Sequence, residues 1–268
     1  MVNLEARMDA AYQNNYHPAI QGRIWNSLEG TDFIKRHDAA DPPGFAYSNP
    51  FPPGDMEEGD QRKLIISSVD EGLLAHVAAD LLDEREFNIK QMPFNVENIS
   101  DFTVDVGEPG TTGVISCGTG LLIKIPHWDL DRYGIEHPKG ASSETPVYWR
   151  PKYGMEVVRQ QIERNLEYKH NLYGSPYTPT PSETEYDLFE GYDLIKQFAV
   201  PIQVSSDYEQ EYVLSKWRFD YQVQDAAHRE HLNLALNLGL GAKNGMGLGF
   251  INIQEKSKPH EREGQVTA

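Results

Sequence analysis

Apolar residues at Ile20, Ile24 and Leu28 recur every four positions, the spacing of one helical face. They predict a helix over 17–28, stopped at Gly30. A second stripe, Leu74, Val77, Leu81 and Leu82, predicts an amphipathic helix over 71–85. Around these helices, residues 2–12, 44–51 (GFAYSNPF), 63–69 (KLIISSV) and part of 87–106 read as strands. The stretch Gly107-Glu108-Pro109-Gly110-Thr111-Thr112-Gly113 breaks the pattern and reads as a turn between two units. Beyond it the order repeats. A strand pair or long hairpin is predicted over 114–125, and a helix over 155–168 from Val157, Val158, Ile162 and Leu166. Strands over 194–204 and 212–223 precede a helix over 225–238, opened by Asp225 as N-cap, and residues 250–253 close the sheet. The repeated β-α-β-β-α-β order predicts an α+β protein of two tandem ferredoxin-like, RRM-like domains, 1–108 and 109–254, before a polar, disordered tail, 255–268.

Composition narrows the class. The 268 residues, 39% of them hydrophobic, are enough for a core. The single cysteine, Cys117, excludes an internal disulfide and a thiolate metal cluster within the chain. No run approaches the about 18 apolar residues of a membrane span. Residues 1–7 lack the apolar core of a secretory signal, so a soluble, cytoplasmic protein is expected. The net charge is −17, from 41 acids against 24 Lys plus Arg, with only 12 lysines. The acids are spread over the whole chain, as in Asp80–Glu86, Glu183–Glu190 and Glu209–Glu211. In an ordinary cytosol such a charge argues against nucleic acid. In about 1 M salt the Debye length falls to about 3 Å, and the same composition suits a halophile. Charge therefore leaves the partner open.

The sharpest motif is Gly239-Leu240-Gly241-Ala242-Lys243-Asn244-Gly245-Met246-Gly247-Leu248-Gly249, between the last predicted helix and strand. Glycine weakens both kinds of element, so five of them point to positive φ and close backbone approach rather than packing. Exposed N–H groups of Gly239, Gly241, Asn244, Gly245, Gly247 and Gly249, with the Lys243 cation, would make a nest for phosphate oxygens. The spacing matches neither G-x-G-x-x-G nor an NTPase phosphate loop.

A helix, then two G-h-G pairs five residues apart, then a strand resembles the C-terminal motif of the CRISPR repeat-processing endoribonucleases. These are the Cas-six family of the repeat-associated mysterious protein superfamily. Residues 16–26 (YHPAIQGRIWN) are similar to that family's first helix, and His37 falls where members commonly place a catalytic histidine. The resemblance spans residues 2–254 and, with the acidic composition, looks haloarchaeal. It implies cleavage of CRISPR precursor transcripts within the repeat, with no cofactor and no metal. The ribose 2′-OH attacks the adjacent phosphorus and leaves a 2′,3′-cyclic phosphate and a 5′-OH. It also implies repeat RNA as partner, retained in some members together with other subunits of an interference complex.

The chemistry needs a base, an acid and a donor for phosphorane charge. A histidine titrates near neutrality. His37, which alone would read as surface, becomes the catalytic candidate through the resemblance. Some members carry a tyrosine on the first helix, where this chain has Trp25, fit for core packing or base stacking but not for proton exchange. The family's lysine after the histidine has no match in 38–44, leaving Lys35, Arg36 or Tyr47 as candidate support. Lys216 and Arg218 flank Trp217 in a predicted strand, either an RNA contact or a buried tryptophan with exposed flanks. His228 and His231 lack a third ligand and read as a solvated or RNA-facing helix face rather than a metal site. Arg159, Arg164 and Lys169 read as ordinary surface. The rival readings are a non-cleaving RNA-binding subunit of a CRISPR effector complex and a small-molecule enzyme that uses the glycine loop for a nucleotide.

Overall fold

The computed structural model describes residues 1–257 except 38, 40, 138–144, 146, 206 and 207. The first unit begins with β1 (Val2–Ala6), in which Val2, Leu4 and Ala6 are buried and alternate with more exposed Asn3 and Glu5. Helix α1 (His17–Ser27) buries Ile20 and Ile24 as their spacing requires. Then come β2 (Phe45–Tyr47), β3 (Gln61–Leu64) and β4 (Ile66–Ser68), the last two separated by one residue. Helix α2 (Glu71–Asp83) starts where the Asp70 carboxylate accepts a hydrogen bond from the Leu73 N–H at 3.2 Å. Its buried stripe is Leu73, Val77 and Leu81, whereas Leu82 is 40% exposed. The predicted stripe is thus rotated by one residue, because adjacent leucines at 73–74 and 81–82 let two overlapping stripes fit the same pattern. A hairpin of β5 (Glu86–Ile89) and β6 (Met92–Ile99) completes the unit.

All pairings are antiparallel, in the order β3-β1-β6-β5, with β2 paired to β4. Taking β3 and β4 as one interrupted strand gives the ferredoxin-like order β6-β1-β3/β4-β2, with β5 added outside β6.

The second unit repeats it. Its elements are β7 (Thr112–Cys117), the two-residue strands β8 (Lys124–Ile125) and β9 (Val147–Tyr148), α3 (Met155–Tyr173), β10 (Gly191–Ser205), β11 (Tyr208–Gln222), α4 (Ala226–Leu238) and β12 (Ile251–Ser257). The sheet order β10-β11-β7-β12 is again ferredoxin-like. Asp225 caps α4, accepting from the His228 N–H at 2.8 Å. Strand β12 runs three residues into the predicted tail, and 258–268 lie outside the described residues. Ahead of the predicted boundary, Val106 is already fully buried in the second core, its N–H donating to Asn233 Oδ1 at 3.0 Å.

One element departs from its pattern. Residues 114–125 are not a hairpin: β7 ends at Cys117, after which Leu121 bridges Ser215, Leu122 bridges Ala242 and β8 pairs with β9. The apolar run is buried because it crosses over the sheet toward the glycine loop. At the crossing, a Cβ on Gly120 would stand 2.8 Å from the Leu214 side chain.

Each unit has its own apolar core, and a third cluster gathers Leu122, Ile202, Tyr212, Leu214 and Leu248 beneath the glycine loop. No helix among the described residues is long and apolar enough to cross a membrane. His228 and His231 are 1% and 0% exposed, which corrects the solvated or RNA-facing reading. Their Nε2–H groups donate to Leu188 O at 3.0 Å and Pro179 O at 2.8 Å. Burial lowers both pKa values.

Candidate functional site

The glycine loop between α4 and β12 is where the two units meet. The buried His17 ring, at the start of α1, donates from Nδ1 to Met246 O at 2.8 Å. The Tyr47 hydroxyl donates to His17 O at 3.0 Å. A Cβ at Gly245 would lie 2.6 Å from Pro43, and one at Gly247, where φ is +74°, would collide with the Tyr47 ring. These two glycines let the second unit's backbone seat directly on the first. Gly239, Gly241 and Gly249 are buried against their own unit.

The phosphate-nest reading is corrected at two of its six N–H groups, those of Gly247 and Gly249, which are engaged within the protein. The N–H groups of Leu240, Ala242, Met246, Gly247 and Gly249 all donate to backbone carbonyls at 2.8–3.0 Å. The buried Asn244 amide bridges Leu240 O and Leu248 O at 3.0 and 2.9 Å. Lys243 is exposed, with φ +63°. Close packing explains the glycines, which composition alone had set against packing.

A residue read as surface does much of the fastening. Lys169, on α3, is 0% exposed, and its ammonium donates to Gly239 O at 2.7 Å and Gly241 O at 3.3 Å. Burial lowers its pKa to about 7. A signal for this lay in the sequence. Val158, Ile162 and Leu166 form a four-residue stripe whose next turn falls at 169–170, so Lys169 sits on the buried face. Arg159 and Arg164, by contrast, are half-exposed and paired with Glu156, Asp187 and Asp129.

His37 ends the turn Asp32–Arg36, at whose start the Thr31 hydroxyl accepts from the Phe33 N–H at 3.2 Å. The His37 ring is exposed and meets the edge of Trp25, with centroids 5.0 Å apart and planes at 83°. Trp25 is itself 6% exposed and packs on Phe45, so it is a core residue that braces the imidazole. Lys35 pairs with Asp32 at 2.6 Å on the surface. Arg36 pairs with Asp70 at 3.1 Å and lies 5.0 Å from the Phe33 ring centre and 5.6 Å from that of Tyr173. Tyr47 is corrected as a supporting group. It is fully buried, its hydroxyl is bonded, and burial raises its pKa well above the usual phenol range.

Residues 41–43 lie against the second unit. Asp41 accepts from the Tyr168 hydroxyl, Pro42 O from the Tyr173 hydroxyl at 2.5 Å, and Pro43 faces Gly245. The fold thus brings together the His37 segment, the C-terminal half of α3 and the glycine loop. His17, which joins the two units, and Lys169, which anchors the glycine loop to α3, are the residues that sequence reasoning missed.

Lys216 and Arg218 lie elsewhere, on the face of β11 opposite buried Trp217. Lys216 donates to Gly118 O at 3.0 Å, and burial followed by neighbouring Lys196 lowers its pKa. Arg218 is exposed, 3.7 Å from Asp220. Trp217 is 1% exposed, so it is the buried tryptophan of the two readings.

Comparison with known proteins decides the family. The chain is 47% identical over 263 residues to a CRISPR-associated endoribonuclease Cas6 from Haloferax mediterranei, covering 98% of this chain and 96% of that one. The chain belongs to the Cas6 family. A Cas6 C-terminal family model matches residues 135–253. A second Cas6, from Methanocaldococcus jannaschii, is 22% identical over 94% of this chain and 97% of its own length. A solved CRISPR-associated Cas6 structure superposes with a TM-score of 0.65 at 15% identity, covering 94% and 97% of the two chains. That similarity carries the tandem ferredoxin-like Cas6 fold, and the glycine loop lies inside the segment that the family model matches.

Proposed function

We propose that this Cas6 cleaves CRISPR repeat RNA by transesterification, with His37 moving the proton. The observation that supports the reading is an exposed imidazole braced on buried Trp25, at the edge of the junction between the two units, in a chain of this family. The 2′-OH loses its proton and attacks the adjacent phosphorus. The P–O5′ bond breaks and O5′ gains a proton, leaving a 2′,3′-cyclic phosphate and a 5′-OH. His37 either takes the first proton or supplies the second, and no metal enters either step. Lys35 and Arg36, which precede His37 directly, and exposed Lys243 of the glycine loop are the cations that could meet phosphate oxygens. The outer Lys216–Arg218 face extends the RNA path. The glycine loop, two of whose six candidate N–H groups are already bonded, also holds the two units in register.

The test uses repeat RNA from the same genome in about 2 M KCl, where screening quiets the acidic surface, with excess EDTA. His37→Ala is expected to lower the cleavage rate by about 10²–10⁴-fold, and a 2′-deoxy nucleotide at the scissile position to abolish cleavage. Tight binding with no cleavage by wild type would place the chain among non-cleaving RNA subunits instead.

A further inference from the structure

Proton transfer by His37 requires its imidazole to sit within about 2.6–3.2 Å of the reacting oxygen. Trp25 braces the ring from the first unit. The backbone that follows is irregular: residues 41–44, which lead from the His37 turn to β2, form neither helix nor strand. Their hold comes from the second unit, and chiefly from one side chain.

Tyr173 is the last residue of α3. Its hydroxyl donates to Pro42 O at 2.5 Å, five residues beyond His37. Its ring centre lies 5.6 Å from the guanidinium of Arg36, the residue directly before His37. One tyrosine thus grips the chain on both sides of the histidine. Arg36 carries that grip into the first unit, through the Phe33 ring at 5.0 Å and the Asp70 carboxylate at 3.1 Å. The fit is close. Gly44 passes the same ring with φ +85°, and a Cβ there would stand 3.2 Å from Tyr173 and 2.9 Å from Arg36 Nη1. Tyr168, five residues earlier on α3, adds a second tie through its hydroxyl to Asp41.

We propose that Tyr173 is a positioning residue for RNA cleavage, a clamp by which the second unit sets the place of the His37 ring. The inference rests on the reading of His37 as the proton-transfer group. Tyr173 needs no contact with the RNA, because it acts through Arg36 and Pro42. With the clamp closed, the two units cannot shift against each other without moving the imidazole. A displacement of about 1 Å in a reacting group can cost about 10²-fold in rate.

The experiment measures two quantities separately. Single-turnover cleavage is followed with repeat RNA, and Kd with the same RNA blocked by a 2′-deoxy nucleotide at the scissile position. The proteins are wild type, Tyr173→Phe, Tyr173→Leu, His37→Ala and the His37→Ala/Tyr173→Leu double variant. Tyr173→Leu is expected to slow cleavage by about 10- to 100-fold while Kd stays within about twofold. Tyr173→Phe keeps the ring beside Arg36 and loses only the Pro42 bond, so it should recover part of that rate. It also carries the test if Tyr173→Leu fails to melt cooperatively. In the double variant the leucine should cost nothing beyond His37→Ala, since no imidazole is left to position. Equal fold losses with and without His37, a Kd weakened as much as the rate, or full rate in the folded Tyr173 variants would each overturn the clamp. A His37→Ala protein as fast as wild type would overturn the assignment of His37, and the clamp with it. Cleavage that needs His37 but not Tyr173 removes the clamp alone.

Discussion

Lys169 is fully buried with no carboxylate partner among the described residues, held by two carbonyls of the glycine loop. Lys169→Met keeps most of the volume but leaves Gly239 O and Gly241 O without their donor. An unpaired buried acceptor is worth about 1–3 kcal/mol, partly offset because a desolvated ammonium also disappears. A net loss of about 1–3 kcal/mol is expected in denaturant titration near pH 9. The pH dependence has a definite sign. The folded-state pKa is about 7, well below the ordinary lysine value, so between pH 7 and about 10 the unfolded chain binds more protons at this site. Stability from this group is least below pH 7 and rises toward pH 10. The gap between wild type and Lys169→Met should therefore widen over that range. A constant gap would mean that the lysine keeps its ordinary pKa in the fold.

At the scale of elements, the junction depends on how closely the glycine loop approaches β2. Gly247→Ala forces a Cβ against Tyr47 at a φ of +74°. It should lower stability by about 1–3 kcal/mol and reduce RNA cleavage with it. Gly22 is the control: it lies inside α1, with open space where an alanine methyl would sit. Gly22→Ala should therefore stabilise by about 0.4–1 kcal/mol. Equal effects of the two substitutions in thermal melts would refute the close-approach account. The elements themselves were legible to different degrees. Helices α1, α2 and α4 follow from four-residue apolar spacing and Asp225 capping, because periodicity reports which side of a helix is covered. The 114–125 run was illegible as a crossing, since a buried run looks the same whether it pairs in a hairpin or passes over a sheet.

For the molecule as a whole, a charge of −17 spread over two units means broad self-repulsion in dilute buffer. Raising KCl from about 0.1 M to about 1 M shortens the Debye length from about 10 Å to about 3 Å. The thermal midpoint is expected to rise by more than about 4 °C, equivalent to upwards of about 1 kcal/mol at this size. A midpoint that is flat or falls with salt would show that the acids are already balanced locally. The same charge pattern loads the cavity between α1 and α2, which Glu29, Asp80, Glu84 and Glu86 line. RNA specificity is thus expected from local contacts rather than from the summed field.

The linear chain determined the two ferredoxin-like repeats and the family, and it singled out His37 as the candidate, because alternation, helical spacing and a spaced glycine motif are local properties of sequence. Only the tertiary structure decided what the glycines are for. Their roles come from residues more than a hundred and fifty positions away, Pro43 and Tyr47, and from Lys169 on another helix. Tertiary packing likewise turned Tyr47, His228 and His231 from candidate surface chemistry into buried, bonded side chains. Burial and long-range hydrogen bonding set these roles, and both depend on which surfaces meet, which no local pattern records.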